Sequence, residues 1–75
     1  MPYPRIEDLP PPVRSNLPKH AQEIYRGAFN HAWETYATHA AREEIAHRVA
    51  WAAVKHGYRK VGDDWVAREA AGPGD

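Results

Sequence analysis

The histidines are the residues of this chain whose chemistry first suggests a metal site, and there are five of them. His20 and His31 fall on one border of a predicted helix, where helical geometry separates them by about 16 Å along the axis. Ligand bonds to one ion are only about 2 Å long, so these two side chains cannot share it. His47 has no second ligand type at a diagnostic spacing. The sequence therefore predicts no metal site and no cofactor.

His20 and His47 are nevertheless candidate pH-sensing residues, because both stand beside apolar helix faces. An unperturbed imidazole changes charge at a pH of about 6.5, within the physiological range. The alternative is a histidine that hydrogen-bonds between two helices and keeps one protonation state. We favour this second interpretation from the sequence, and the first stays open.

The acidic pairs do not form an acid–base site. Glu43 and Glu44 are adjacent on a predicted helix, so their side chains diverge by about 100°. Asp63 and Asp64 lack the ligand series of a calcium-binding loop and are better explained as turn residues. The sequence also contains no glycine-rich phosphate loop, nucleophile elbow or HExxH motif. These observations predict a protein that is not an enzyme.

The most suggestive group combines aromatic and cationic residues around the end of a predicted helix: Trp51, Lys55, Tyr58 and Arg59. Such a group can form a protein-binding hot spot or stack on single-stranded nucleic acid. Lys55 and Arg59 would share a face if the last helical turn persisted through both. The alternative is structural, with Trp51 and Tyr58 holding the C-terminal segment against the helix. All four are candidate partner-binding residues.

Two amphipathic helices must position these side chains. Residues 18–38 have apolar positions at helical spacing, among them Tyr25, Phe29 and Trp33. Residues 41–56 form a second helix, with acidic residues in its first turn, basic residues in its last turn and Gly57 as its stop. We expect its main apolar face at Ile45, Val49, Ala52 and Ala53, with Trp51 and Val54 elsewhere. A helix apolar on two sides is usually sandwiched, which predicts a central position.

The flanking segments complete a mainly α (α+β) fold. Six prolines punctuate residues 1–18, yet five spaced apolar residues predict that this arm packs on the body and contains one short helical turn: Tyr3, Ile6, Leu9, Val13 and Leu17. Residues 58–67 change to a period of two around Gly62-Asp63-Asp64, which predicts a small β-hairpin. Residues 3–6 are a candidate third strand. We expect a single domain over residues 1–70 and a frayed tail over 71–75.

Charge and length narrow the function classes. The chain has 75 residues, no cysteine, and 10 basic against 10 acidic residues. A zero balance argues against a general DNA coat, although the 42–60 segment is basic and could serve a nucleic-acid-associated accessory protein. The N-terminus has no apolar central region, and no apolar run approaches the roughly 20 residues that cross a bilayer. We therefore expect a cytoplasmic monomer without direct membrane insertion.

Three blocks resemble the ChaB family of cation-transport regulators: Met-Pro-Tyr at residues 1–3 with Leu9-Pro10, then Leu17-Pro18-Lys19-His20-Ala21-Gln22-Glu23-Ile24-Tyr25 with its continuation to Trp33, then Arg42-Glu43-Glu44 through Lys55 with Tyr58, Lys60 and Trp65. The resemblance implies a small helical core with a short sheet. It also implies a regulatory or adaptor role toward a cation (Na⁺ or Ca²⁺)/proton antiporter, through protein contacts. It carries over no catalytic or ligand residues. The connection at residues 38–41 is shorter than in some relatives.

Overall fold

The computed structural model describes residues 2–68, and the predicted tail at 71–75 lies outside that range. A 3-10 turn at Ile6–Asp8 leads into α1 (Pro11–Asn16), followed by the long helices α2 (Lys19–Thr35) and α3 (Arg42–Gly57). The chain then forms an antiparallel hairpin of β1 (Tyr58–Val61) and β2 (Asp64–Ala67). The predicted mainly α fold with a small hairpin is confirmed, and the two long helices end within a few residues of their predicted limits.

The N-terminal arm packs on α2, as its spaced apolar residues predict. Leu9, Val13 and Leu17 are buried. The candidate third strand is wrong, because the backbone of Tyr3 pairs with a side chain instead of a strand. Its N–H donates to Asn30 Oδ1 at 3.2 Å, and its C=O accepts from Asn30 Nδ2 at 2.9 Å. The amide group of Asn30 therefore satisfies both backbone groups of one residue, which fixes the arm across α2.

The core lies between α2 and α3, and α2 contributes larger side chains to it than α3 does. On α2 it contains the large rings of Tyr25 and Phe29, both almost fully buried. On α3 it contains Ala46, Ala50 and Val54, all fully buried. This corrects the predicted face of α3, since Ala52 is exposed and Val54 is central. The small side chains of α3 let the backbones approach while the aromatic rings of α2 fill the space between them.

The hairpin closes through a two-residue turn at Gly62 and Asp63. Gly62 has a φ of 62° and Asp63 a negative one, the φ pattern of a type II′ turn. Arg68 joins the hairpin to α3, because its N–H donates to Gly57 O at 3.0 Å and its Nε donates to Lys55 O at 2.8 Å. These bonds satisfy carbonyls that the end of α3 leaves without helical partners. Helix α3 contacts α2 along its length and also contacts β1 at its C-terminal end.

Candidate functional site

His47 and Tyr25 link the two long helices. The Tyr25 hydroxyl forms a short hydrogen bond with His47 Nδ1, and the ring of His47 lies edge-on to Phe29 with centroids 4.7 Å apart. Burial raises the pKa of Tyr25 to about 12, with a smaller contribution from Tyr3, so the phenol keeps its proton near neutral pH. A neutral imidazole accepts that proton at Nδ1. This is the interhelical hydrogen bond that the sequence favours over a free sensor.

The other ring nitrogen of His47 faces the surface. Its Nε2 is 3.9 Å from Glu43 Oε2, and the His47 side chain retains 34% of its exposure. Water screens an exposed contact of this kind, so it contributes little to stability. His47 therefore joins a buried phenol to a surface carboxylate, the geometry that a proton-responsive contact needs.

His20 occupies a different environment, in the first turn of α2. Its side chain is 73% exposed, with Nδ1 3.9 Å from Glu23 Oε1 and its ring 6.4 Å from that of Tyr58. Water surrounds most of the imidazole, so no core contact depends on its charge. The pH-sensing role stays a prediction for both histidines, and His47 is the one coupled to the core. Within residues 2–68, no cluster of three or more His, Asp or Glu side chains is arranged to hold a metal ion.

The four candidate partner-binding residues divide between core and surface. Trp51 is partly buried, with its ring 5.3 Å from that of Tyr25 and 5.8 Å from that of Trp65. Tyr58 is buried at 8% exposure, whereas Lys55 and Arg59 are exposed. Because α3 ends at Gly57, Lys55 and Arg59 do not continue one helical face. Trp51 and Tyr58 hold the hairpin to the body, and the two cations remain available to a partner.

The basic 42–60 segment is less uniform in space than in sequence. Arg42 lies over the ring of Trp33 at 3.8 Å and donates from Nε to Trp33 O at 2.8 Å. Arg48 pairs with Glu44 at 3.0 Å. Both cations at the start of this segment therefore have partners inside the fold. Among the described residues, Lys55, Arg59 and Lys60 near its end have no carboxylate within 4.0 Å.

Two features escaped the sequence patterns. Asn30 is 5% exposed and holds the arm, although helical periodicity places it toward the polar face. Its signal was a short amide side chain directly after Phe29, a core residue of the same helix. The second feature is an open cavity of about 470 Å³ between the N-terminal arm and α2, lined by Ile6, Glu7, Pro11, Arg14, Ser15 and Gln22. No periodicity argument could find it, since three separate segments form its walls.

The fold and this arrangement define a small helical domain, closed by a C-terminal hairpin, whose helices are linked by a tyrosine–histidine bond. The sequence model of the ChaB family matches residues 9–68. Proteins named "Putative cation transport regulator ChaB" from Escherichia coli K12 and from Shigella flexneri are each 54% identical over 70 aligned positions, covering 85% of this chain and 92% of the relative. The chain belongs to the ChaB family.

A solved structure agrees with this assignment. The NMR solution structure of a ChaB protein matches with a TM-score of 0.79 and 49% sequence identity, covering 91% of this chain and the whole of that one. At this level of identity, the shared fold extends to the packing of both long helices and the hairpin. In the described residues, no helix is long and apolar enough to cross a membrane.

Proposed function

We propose that this protein is a non-catalytic regulator of cation transport, acting through protein contacts on a cation (Na⁺ or Ca²⁺)/proton antiporter. The observation that carries the proposal is the 54% identity to relatives named "Putative cation transport regulator ChaB". The match covers nearly the whole of those relatives, so the comparison concerns complete domains and not a shared fragment. In this proposal the protein works in the cytoplasm and meets the transporter at its cytoplasmic face.

The structure suggests how such a regulator would touch its partner. Lys55 lies one helical turn after the half-buried Trp51 on α3, and Arg59 follows shortly after the end of that helix; both cations are exposed. Aromatic and arginine side chains dominate many interfaces, and charge steers the encounter. Tyr58 supports this surface from below, because it is buried against the body of the domain.

Within the same proposal, His47 is the residue through which the regulator senses pH. The groups that face it are the Tyr25 hydroxyl on α2 and the Glu43 carboxylate on its own helix. Protonation of the ring would put a hydrogen on Nδ1, and the Tyr25 hydroxyl would then have to rotate and accept. His20 has no comparable buried partner, which makes His47 the residue to test first.

The alternative is a nucleic-acid-associated accessory protein that uses the 42–60 segment. Arg42 and Arg48 are engaged within the fold, which reduces the cationic surface that this alternative needs. Binding dominated by phosphate contacts weakens steeply as salt rises. A steep salt dependence, together with loss of capture after nuclease treatment, would favour this alternative over the regulator.

Cation/proton exchange in everted membrane vesicles tests the proposal directly, since these vesicles expose the cytoplasmic face to added protein. Vesicles from cells lacking the protein should exchange cations at an altered rate, and purified protein should restore the original rate. Crosslinked pulldown, with and without nuclease, should recover the transporter in both conditions. An exchange rate that responds neither to deletion nor to added protein would rule the proposal out.

A charge-reversed pair with a matched control identifies the surface. Lys55→Glu with Arg59→Glu should abolish restoration while circular dichroism remains native. Arg14→Glu with Lys19→Glu changes the net charge equally at exposed positions of the first two helices and should retain activity. Equal activity of both variants would remove the Trp51, Lys55, Tyr58 and Arg59 surface from consideration.

A further inference from the structure

The hairpin has two strands, so the outer edge of β2 has no paired strand in the described part of the chain. In the register, Tyr58 is opposite Ala67 and Lys60 is opposite Trp65. The Arg68 N–H bonds to Gly57 O, which sets the alternation of hydrogen-bonded pairs along the ladder. Trp65 and Ala67 then direct their N–H and C=O groups away from β1. We call these outward groups the β2 edge.

The outward face of the hairpin carries two exposed valines among residues 2–68, with Arg59 and Asp64 opposite them in the register. Val61 is 47% exposed and Val66 is 39% exposed, and these are two of the three most exposed large apolar residues in the described chain. Arg59 lies directly opposite Val66 in the register, so a cation borders this valine. A two-stranded hairpin is marginal in water, and a third strand would extend the ladder and place side chains beside Val66 on β2.

The charge around the hairpin indicates what kind of strand would fit. Four exposed cations lie on or beside it, and none has a carboxylate within 4.0 Å among the described residues: Lys55, Arg59, Lys60 and Arg68. Two exposed carboxylates, Asp63 and Asp64, lie at the turn end of the hairpin, so these six residues have a net charge of +2. The ion pairs of the described chain all lie elsewhere, on the N-terminal arm and the two long helices. We call the four basic residues the hairpin cations. Their complement is a segment rich in Asp or Glu.

We propose that the β2 edge docks an extended acidic segment of a partner protein as a third, edge-paired strand. Backbone hydrogen bonds to Trp65 and Ala67 would supply the pairing, and the segment's alternating side chains would meet Val66 on one face and Lys60 on the other. This inference rests on the proposed function, in which the partner is the transporter, and it names the chemistry of the contact.

Ala67→Pro separates edge pairing from charge. Proline removes the Ala67 N–H, which points out of the hairpin, without deleting a bond between β1 and β2. Ala67→Thr is the matched control, because threonine keeps the N–H and favours strands. Lys60→Glu reverses one hairpin cation and leaves the edge intact. Circular dichroism and the amide spectrum establish that each variant is folded.

The probe is a synthetic peptide of about ten residues that alternates glutamate and valine, titrated into the ¹⁵N-labelled full-length protein. The amide signals of Trp65 and Ala67 should shift on addition, and the threonine variant should bind like the parent. The proline and Lys60→Glu variants should each bind more weakly by about tenfold or more. A peptide alternating lysine and valine, or one N-methylated along its pairing edge, should not bind.

Three results would overturn the inference. The Trp65 and Ala67 signals could fail to move, as they would if residues 69–75 of the chain itself filled the edge. The proline variant could bind as well as the threonine variant. Sedimentation could show a self-association that Ala67→Pro abolishes, which would assign the edge to a second copy. Failure here leaves the exchange assay with parent protein unaffected, whereas failure of that assay refutes the proposed function whatever the peptide does.

Discussion

Removing the hydroxyl of Tyr25 should change the stability of this protein in opposite directions at neutral and at strongly alkaline pH. At neutral pH the phenol donates to His47 Nδ1 across the α2–α3 interface. Tyr25→Phe keeps the buried ring and deletes only this bond, at a typical net cost of about 1 kcal/mol. His47 retains some exposure, so water can replace part of the lost contact. We therefore expect the variant to be less stable by about that amount.

The sign reverses because the pKa of Tyr25 rises from 10.0 to about 12 on folding. A group whose pKa is higher in the folded state contributes its full stability below the unfolded pKa of 10.0 and loses it as pH rises toward 12. Linkage with these two values gives a loss of about 2 kcal/mol by a pH of about 11.5. Phenylalanine cannot ionise, so the Tyr25→Phe variant does not lose this stability as pH rises. At that pH the variant should be more stable than the parent, by about 1 kcal/mol.

Urea unfolding at a series of pH values, followed by circular dichroism, measures the difference. Tyr36→Phe is the matched control, because Tyr36 is exposed and its hydroxyl makes no hydrogen bond within the described residues. Its stability curve should run parallel to that of the parent. If the Tyr25→Phe curve also runs parallel to the parent between about pH 9 and about pH 11.5, then Tyr25 does not retain its proton through burial. Burial of the Tyr25 phenol would then not raise its pKa, and the predicted reversal of sign would be wrong.

Four further predictions concern the packing of the arm, core and turn. Deleting residues 1–9 should lower the melting temperature, and an unchanged melting curve would contradict the packed arm. Phe29→Ala should lower the free energy of unfolding by about 3–5 kcal/mol, and Trp33→Ala should lower it by less, because Trp33 is only partly buried. Native stability in both variants would refute the core assignment. Asn30→Ala removes both hydrogen bonds to the arm and should lower the free energy of unfolding by about 1–3 kcal/mol, as measured by urea unfolding. An unchanged free energy of unfolding would contradict the role of Asn30 in holding the arm. Gly62→Ala should lower the free energy of unfolding by about 1 kcal/mol. The cost comes from the positive φ alone, because an added Cβ would contact no other atom. An unchanged free energy of unfolding would exclude this turn geometry.

Local patterns in the sequence determined where the elements begin and end. The acidic residues in the first turn of α3 and the basic residues in its last turn mark its limits, because helix termini have unpaired backbone groups and a dipole. The predicted stop at Gly57 is off by one residue, because Gly57 is the last helical residue, without a positive φ, and Tyr58 is the extended cap. The glycine–aspartate pair between two short alternating runs marks the hairpin turn for an equally local reason. The spaced apolar residues of the arm predict its burial in spite of the prolines. The family, too, could be recognised from the residues alone.

Tertiary packing decided which side chains face one another. Periodicity pointed to Ile45 and Val49 as the face of α3, but Tyr25 and Phe29 require small partners, and Ala46 and Ala50 provide them. Complementary volume is a property of two surfaces, so neither helix reveals it by itself.

For the candidate site too, the sequence predicted some features and tertiary packing decided the others. The sequence identified His47, Trp51, Lys55 and Arg59 as chemically notable, but not that His47 meets Tyr25 or that Tyr58 is buried. The open β2 edge also depends on a register that joins two strands and on the absence of a third in the described chain. Hydrogen bonds between segments distant in sequence settle these contacts, because each donor takes the acceptor that packing brings within reach.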